Sequence, residues 1–196
     1  DYVYEEFDSY VVPGSTYYGV LPTCWTYDPV NTNSAVGLLP QVTSNNDYSL
    51  YLEALSYVAL PEMNRPLSEL MVEFYVDMYQ EGNGLYDGGD TLVIGSVSHN
   101  GEGFGSTFVP IDTVYEDGYH KIYLDTYTGD NRYIAFKNIN GQNAYTVIHL
   151  QYVNVVDMPT CFTPQNLTAT AVDAHTITLD WEMERPMANY VVQWYN

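Results

Sequence analysis

Glu73 and Asp77 lie four residues apart in the run "LSELMVEFYVDMYQ", on the same side of an alternating pattern. Two carboxyl groups on one face are what glycosidic bond cleavage requires. Retaining hydrolysis sets them roughly 5–5.5 Å apart, and inverting hydrolysis roughly 6.5–9.5 Å. Four residues of extended chain at ~3.3 Å each hold Glu73 and Asp77 roughly 13 Å apart, too far for either. Asp87 and Asp90 in "YDGGD" are closer in sequence, but they stand in a glycine-rich stretch where Asp is expected for turn chemistry alone. The four histidines, His99, His120, His149 and His175, are isolated from one another, so no His-x-x-x-His spacing supports a metal centre. No Gly-x-Ser-x-Gly elbow occurs. Cys24, beside Trp25, has no basic neighbour to favour its thiolate, and a net charge of −20 disfavours it further. The residues read as those of a non-enzyme.

Binding chemistry is better represented. Tyr75 and Tyr79 share the wet side of one run with Asp77, and Tyr119, Tyr123 and Tyr127 alternate in "YHKIYLDTY" around Lys121. Were the two runs neighbours, they would build an aromatic platform edged by Asp77, Lys121 and Asp125. Sugar rings stack on such platforms through their C–H bonds. The plainer role is cross-strand tyrosine pairing on a solvated sheet, worth a few tenths to ~1 kcal/mol per pair. The glycine-rich stretches "EGNGLYDGGD" and "SHNGEGFGS" offer a second candidate surface, since loops commonly carry recognition.

These side chains must be placed by strands, because helical periodicity is nearly absent. Leu70, Val72, Phe74, Val76 and Met78 alternate with Glu69, Met71, Glu73, Tyr75, Asp77 and Tyr79, which is period two with one face buried. "TLVIGSVS", "YHKIYLDTY", "RYIAFK" and "YTVIHLQYVNV" read as further strands, as do the less regular "VYEEFDSY", "SLYLEA" and "SYVAL". "RPLSEL" reads as a turn into the long strand. Short strands punctuated by Gly, Asn, Asp and Pro predict an all-β, antiparallel sandwich or jelly roll.

The 25 Asp and Glu against 5 Lys and Arg exclude nucleic acid as a natural partner, since phosphates require Lys and Arg to neutralise them. No run of about 18 apolar residues exists to form a transmembrane helix. An acid-rich, lysine-poor composition suits an extracellular chain in which calcium occupies carboxylates, although the charge also serves simply to keep a protein soluble. Cys24 and Cys161 fit no metal or redox spacing. Two readings stay open for them: buried free thiols, or a disulfide that stabilises by roughly 4–5 kcal/mol in the chain-entropy treatment.

After Val156 the character changes. "DMPTCFTPQ" is a proline-bearing connector, and "NLTATAV", "TITLDWE" and "YVVQWY" follow, with Trp181 and Tyr190 on inward faces. This order resembles the opening of a fibronectin type III domain, an Ig-like sandwich, and covers only its first three strands. The expected division is therefore residues 1–158 and an incomplete domain at 159–196. Three strands do not bury Trp181, Ile177 and Leu179 unaided, so the segment is expected to lean on another surface.

Residues 1–158 resemble the bacterial cleaved-adhesin family of gingipain-type haemagglutinin/adhesin proteins. The stretches that carry the likeness are "EEFDSY", "LPTCW", "SLYLEA", "YVALPEM", "LSELMVEFYV", "DTLVIGSVS", "STFVPIDTVY", "RYIAFKN" and "YTVIHLQYVNV", in that order. The resemblance implies a concanavalin- or galactose-binding-like jelly roll acting as a non-catalytic adhesion or ligand-binding module, secreted or surface-displayed, with further domains in its parent chain. A carbohydrate-binding module of a secreted hydrolase and a structural spacer are the alternatives. Host proteins or glycans are the implied partners. The likeness also implies a Cys24–Cys161 disulfide and a structural calcium, with Glu6, Asp8, Asn46 and Asp47 as its oxygen donors. In related jelly rolls the last strand supplies an Asp, where this chain has Ile148-His149-Leu150. An imidazole is a poor calcium ligand, because the ion prefers hard oxygen donors.

Overall fold

The computed structural model describes residues 3–7, 20–27, 36–40, 48–53, 55–80, 91–98, 107–139, 146–185 and 191–193. The chain divides into two compact units, Asp1–Asp157 and Met158–Asn196.

In the first unit the described strands are β1 (Tyr4–Glu5), β2 (Thr26–Tyr27), β3 (Val36–Pro40), β4 (Tyr48–Glu53), β5 (Tyr57–Ala59), β6 (Leu70–Gln80), β7 (Leu92–Val97), β8 (Val109–Val114), β9 (Gly118–Tyr123), β10 (Tyr133–Asn138) and β11 (Thr146–Asp157). They form two antiparallel sheets. One runs β3-β4-β11-β6-β9, with β1 also paired to β11; the other runs β2-β5-β10-β7-β8. Most successive strands from β4 to β11 change sheet, β7 and β8 being hairpin neighbours, so the chain winds between two layers as a jelly roll does. "RPLSEL" is a short 3-10 turn over Leu67–Glu69 that feeds β6. No helix among the described residues is long and apolar enough to cross a membrane.

Alternation in β6 fixes the layers. Leu70, Val72, Phe74, Val76 and Met78 are all buried and meet Leu92, Ile94, Ile134 and Phe136 of the facing sheet. Phe74 and Phe136 bridge the sheets edge to face, with ring centroids 5.1 Å apart. Phe7, in a left-handed conformation at φ 60°, closes the end of β1 by packing on Trp25. Asn138, fully buried, donates from Nδ2 to the carbonyl of Leu52, so its polar group is satisfied between the sheets.

The second unit holds a hairpin of β12 (Gln165–Ala171) and β13 (Ile177–Glu182). Its β12 side chains are all exposed, and in β13 only Leu179 and Trp181 are partly shielded. Of the third expected strand, "YVVQWY", the described residues 191–193 are not in a strand; its remainder lies outside the described residues.

Candidate functional site

The side chains of β6 that alternate with its core residues face away from the sandwich interior, and pairing continues them across the sheet. Tyr75 stands opposite Tyr119 of β9 on one side and Tyr152 of β11 on the other. Glu73 stands opposite Lys121 and Asn154, and Met71 opposite Tyr123 and Val156. Asp77 is paired with His149, which is paired in turn with Tyr51 of β4. A row of three tyrosines therefore crosses three adjacent strands, about 10 Å from first to last at the usual strand spacing. Tyr4 of β1 extends it, meeting Tyr152 edge to face at 5.7 Å.

One irregularity in β11 makes this row. Ile148 and Leu150 point into the core ahead of Gln151, whereas Val153 and Val155 do so after it. The register shifts between Leu150 and Tyr152, leaving Gln151 as the extra residue of a β-bulge. Were Gln151 to take a regular place in the ladder instead of bulging, Tyr152 and Asn154 would turn inward, because a one-residue slip exchanges the two faces of a strand.

Carboxylates on this face are engaged by neutral donors. Glu73 accepts from Asn154 Nδ2 at 3.2 Å, with Lys121 Nζ at 4.0 Å from its other oxygen. Asp77 accepts from Gln151, and Glu6 from the Tyr4 hydroxyl. Tyr51 donates to Glu53 at 3.0 Å. Burial raises the Asp77 pKa, the Asp117 charge adds to that, and the Gln151 hydrogen bond opposes both. Burial holds His149 down to about 4, so its ring is neutral at physiological pH; its Nδ1 stands 2.7 Å from Ser49 Oγ. The Tyr152 phenol is pushed up by burial and then by the Glu73 charge, and that of Tyr4 first by its hydrogen bond to Glu6. Both phenols therefore remain protonated.

Access to the face is graded. Tyr4 is 61% exposed, Tyr119 55% and Tyr75 39%, whereas Tyr51 is 3% exposed and Ser49 fully buried. The open part is the tyrosine row from β9 across β6 to β11 and β1; the β4 end is closed.

Of the residues expected to bind, Tyr75, Tyr119, Tyr123, Lys121 and Asp77 share this face. Tyr79 occupies a β6 position opposite Val147, and its side chain lies outside the described residues. Tyr127 does not belong to the face. β9 ends at Tyr123, and a turn through Asp125 and Thr126 follows, with the Tyr127 amide donating to the Leu124 carbonyl at 2.9 Å. This carries Tyr127 into the core edge, 8% exposed, where its hydroxyl accepts from the Asn131 amide. It lines a pocket of about 400 Å³ with Val109, Ile111 and Gly129. Sequence reasoning placed Glu73 on the same side as Asp77 and missed Tyr4, Gln151, Tyr152 and Asn154 as members of the face.

Cys24 and Cys161 are both free and exposed, so the implied disulfide is not formed in this structure. Cys24 lies in a turn of the first unit at φ 67°, while Cys161 belongs to the second. Of the implied calcium ligands, Glu6 is exposed and bonded to Tyr4, while Asp8, Asn46 and Asp47 lie outside the described residues. Among the described residues no group of three or more His, Cys, Asp or Glu side chains is placed to hold a metal. Both glycine-rich loops, Ser98 aside, also lie outside them.

No family model matches the sequence. No curated protein matches it either. Solved structures do resemble it. The K2 cleaved adhesin domain of Lys-gingipain aligns at 13% identity over 80% of this chain and 99% of its own, with a TM-score of 0.54. The K1 cleaved adhesin domain of Lys-gingipain from Porphyromonas gingivalis W83 has a TM-score of 0.49, at 13% identity over 81% of this chain and 99% of its own. The C-terminal family 22 carbohydrate binding module of Clostridium thermocellum Xyn10B also scores 0.49, at 13% identity over 82% of this chain and 95% of its own. At these identities the likeness concerns fold alone: the chain shares the jelly-roll architecture of the K2 cleaved adhesin domain.

Proposed function

We propose that the first unit is a non-catalytic ligand-binding module of a secreted or surface-displayed bacterial protein, and that it grips a glycan along the tyrosine row. The carrying observation is the register that aligns Tyr119, Tyr75 and Tyr152 across three strands on an open face. Aromatic rings supply large apolar area at small conformational cost, and their hydroxyls and the flanking amides supply hydrogen bonds. The shared fold with an adhesin domain supports adhesion as the wider role. The carboxylates support binding over bond cleavage, since Glu73 and Asp77 serve as acceptors that fix Asn154 and Gln151. The pair also keeps the four-residue strand separation, beyond the reach of either glycosidase geometry.

A glycan array tests this directly. Retention of one or more glycans at sub-millimolar affinity, competed by the same glycan in solution, is the expected result. An array with no retained glycan, alongside saturable capture of a host protein that Tyr75→Ala leaves unchanged, would move the binding function off this face.

A further inference from the structure

Resting on that reading, we propose that the tyrosine row takes uncharged polyhydroxyl chains and rejects polyuronates, with Glu73 and Asp77 as the specificity-determining residues. All five basic side chains can be placed. Arg65 pairs with Glu69 and Asp157, Lys137 lies over Phe108 on the opposite sheet, Arg132 precedes β10, and Arg185 belongs to the second unit. Of the first unit's four, Lys121 alone is on the face, and Glu73 sits beside it. His149, the one imidazole in the row of Asp77, carries no charge at neutral pH because burial lowers its pKa.

Against this single compensated cation stand Glu73 on one side of the tyrosine row and Asp77 on the other, with Asp117 adding its charge to Asp77 and Glu6 beside Tyr4. A neutral sugar laid on the row meets acceptors for its hydroxyls. A uronate meets a carboxylate two residues along β6 on either flank of Tyr75, and the one cation of the first unit on the face already lies beside Glu73. Like charges at that separation near a solvated surface cost about tenfold in affinity for each close pair. Protein-wide excess of acid, at −20, adds long-range repulsion that slows encounter with a polyanion.

The test is affinity gel electrophoresis or calorimetry of the full chain at low ionic strength, with chelator present. The probes are soluble neutral polysaccharides, polygalacturonate, alginate and a polyglucosamine. Neutral polymers are expected to bind, and uronate polymers to bind at least about tenfold more weakly. The double variant Glu73→Gln, Asp77→Asn, checked for native circular dichroism, should narrow that gap by tightening the binding of uronates. If it unfolds, about 1 M salt on the unaltered protein should narrow the gap instead, because the screening length falls to about 3 Å. Equal or tighter binding of uronates by the unaltered protein overturns the charge inference and leaves the glycan reading standing. A preference for the cationic polymer that salt abolishes overturns the assignment of uncharged chains as the ligand, and agrees with the repulsion of uronates. Failure to bind any of the polymers overturns both.

Discussion

Tyr75 of β6 and Tyr119 of β9 are cross-strand partners on the open face of the six-stranded sheet, in register with Tyr152 on the far side of Tyr75. Such a pair serves packing and recognition at once, and the two roles separate by magnitude. A cross-strand pair contributes about 0.2–1 kcal/mol to stability. An aromatic residue at the centre of a binding surface costs 2 kcal/mol or more when truncated, or roughly thirtyfold in affinity. Tyr75→Ala and Tyr119→Ala should therefore abolish retention of a bound glycan while moving the urea midpoint little. Equal losses in binding and stability would reduce the tyrosines to packing.

His149 gives the fold a pH dependence whose sign follows from its environment. Its native pKa lies near 4 against about 6.5 unfolded, because the buried ring resists charging. Between these values the unfolded chain binds a proton that the native chain refuses, so stability falls as pH drops from 6.5 towards 4. The span corresponds to about 3 kcal/mol at its limit. Asp77, cross-strand to it and raised in pKa, acts in the opposite sense: its protonated form is favoured in the native state, so it adds stability as pH falls. His149→Gln should flatten the decline in urea-unfolding free energy between pH 6.5 and 4.5. An unchanged slope would place the acid sensitivity elsewhere.

The strand pattern was legible where one face is buried and the other wet. β6, β7 and β10 follow their alternating or apolar runs because burial specifies register strongly. β8 was not read as a strand: Pro110 interrupts it, which an edge position tolerates. The end of β9 was misjudged because the tyrosine alternation continues to Tyr127 in sequence, while the turn at Asp125 breaks it in space. The bulge left a usable trace: the apolar positions Ile148 and Leu150 give way to Val153 and Val155, a slip of one in phase. Read in that phase, Tyr152 and Asn154 join Tyr75 and Glu73. Which strands pair was not legible, since period two states which face a residue takes and not its neighbour.

Gly95 illustrates a close approach that no side chain can share. A Cβ there would lie 2.5 Å from the Phe108 ring and 2.5 Å from the Val109 carbonyl oxygen. The ring can move, at the expense of its contact with Tyr57 and of Lys137 at 5.2 Å from its centroid. The carbonyl belongs to β8 and moves only with the strand. Gly95→Ala should cost about 1–3 kcal/mol by urea unfolding. Combining it with Phe108→Ala should recover part of that cost and not all of it. Full recovery would show that only the ring resists.

Phe74 and Phe136 carry the contact between the two layers, one from β6 and the other from β10. Both are fully buried, so each truncation to Ala removes burial and opens a cavity, at about 3–5 kcal/mol. Their edge-to-face geometry adds a direct term of about 0.5–1.5 kcal/mol beyond area. A double-mutant cycle of Phe74→Leu and Phe136→Leu, which keeps the core filled, should return a coupling in that range. Because His120 stacks on Phe74 at 5.6 Å, the Phe74→Leu variant also loses a partner that Phe136→Leu keeps. Phe74→Leu should therefore be the more costly of the two. A coupling near zero would mean that the sheets are held by area alone, with no preference for the orientation of the rings.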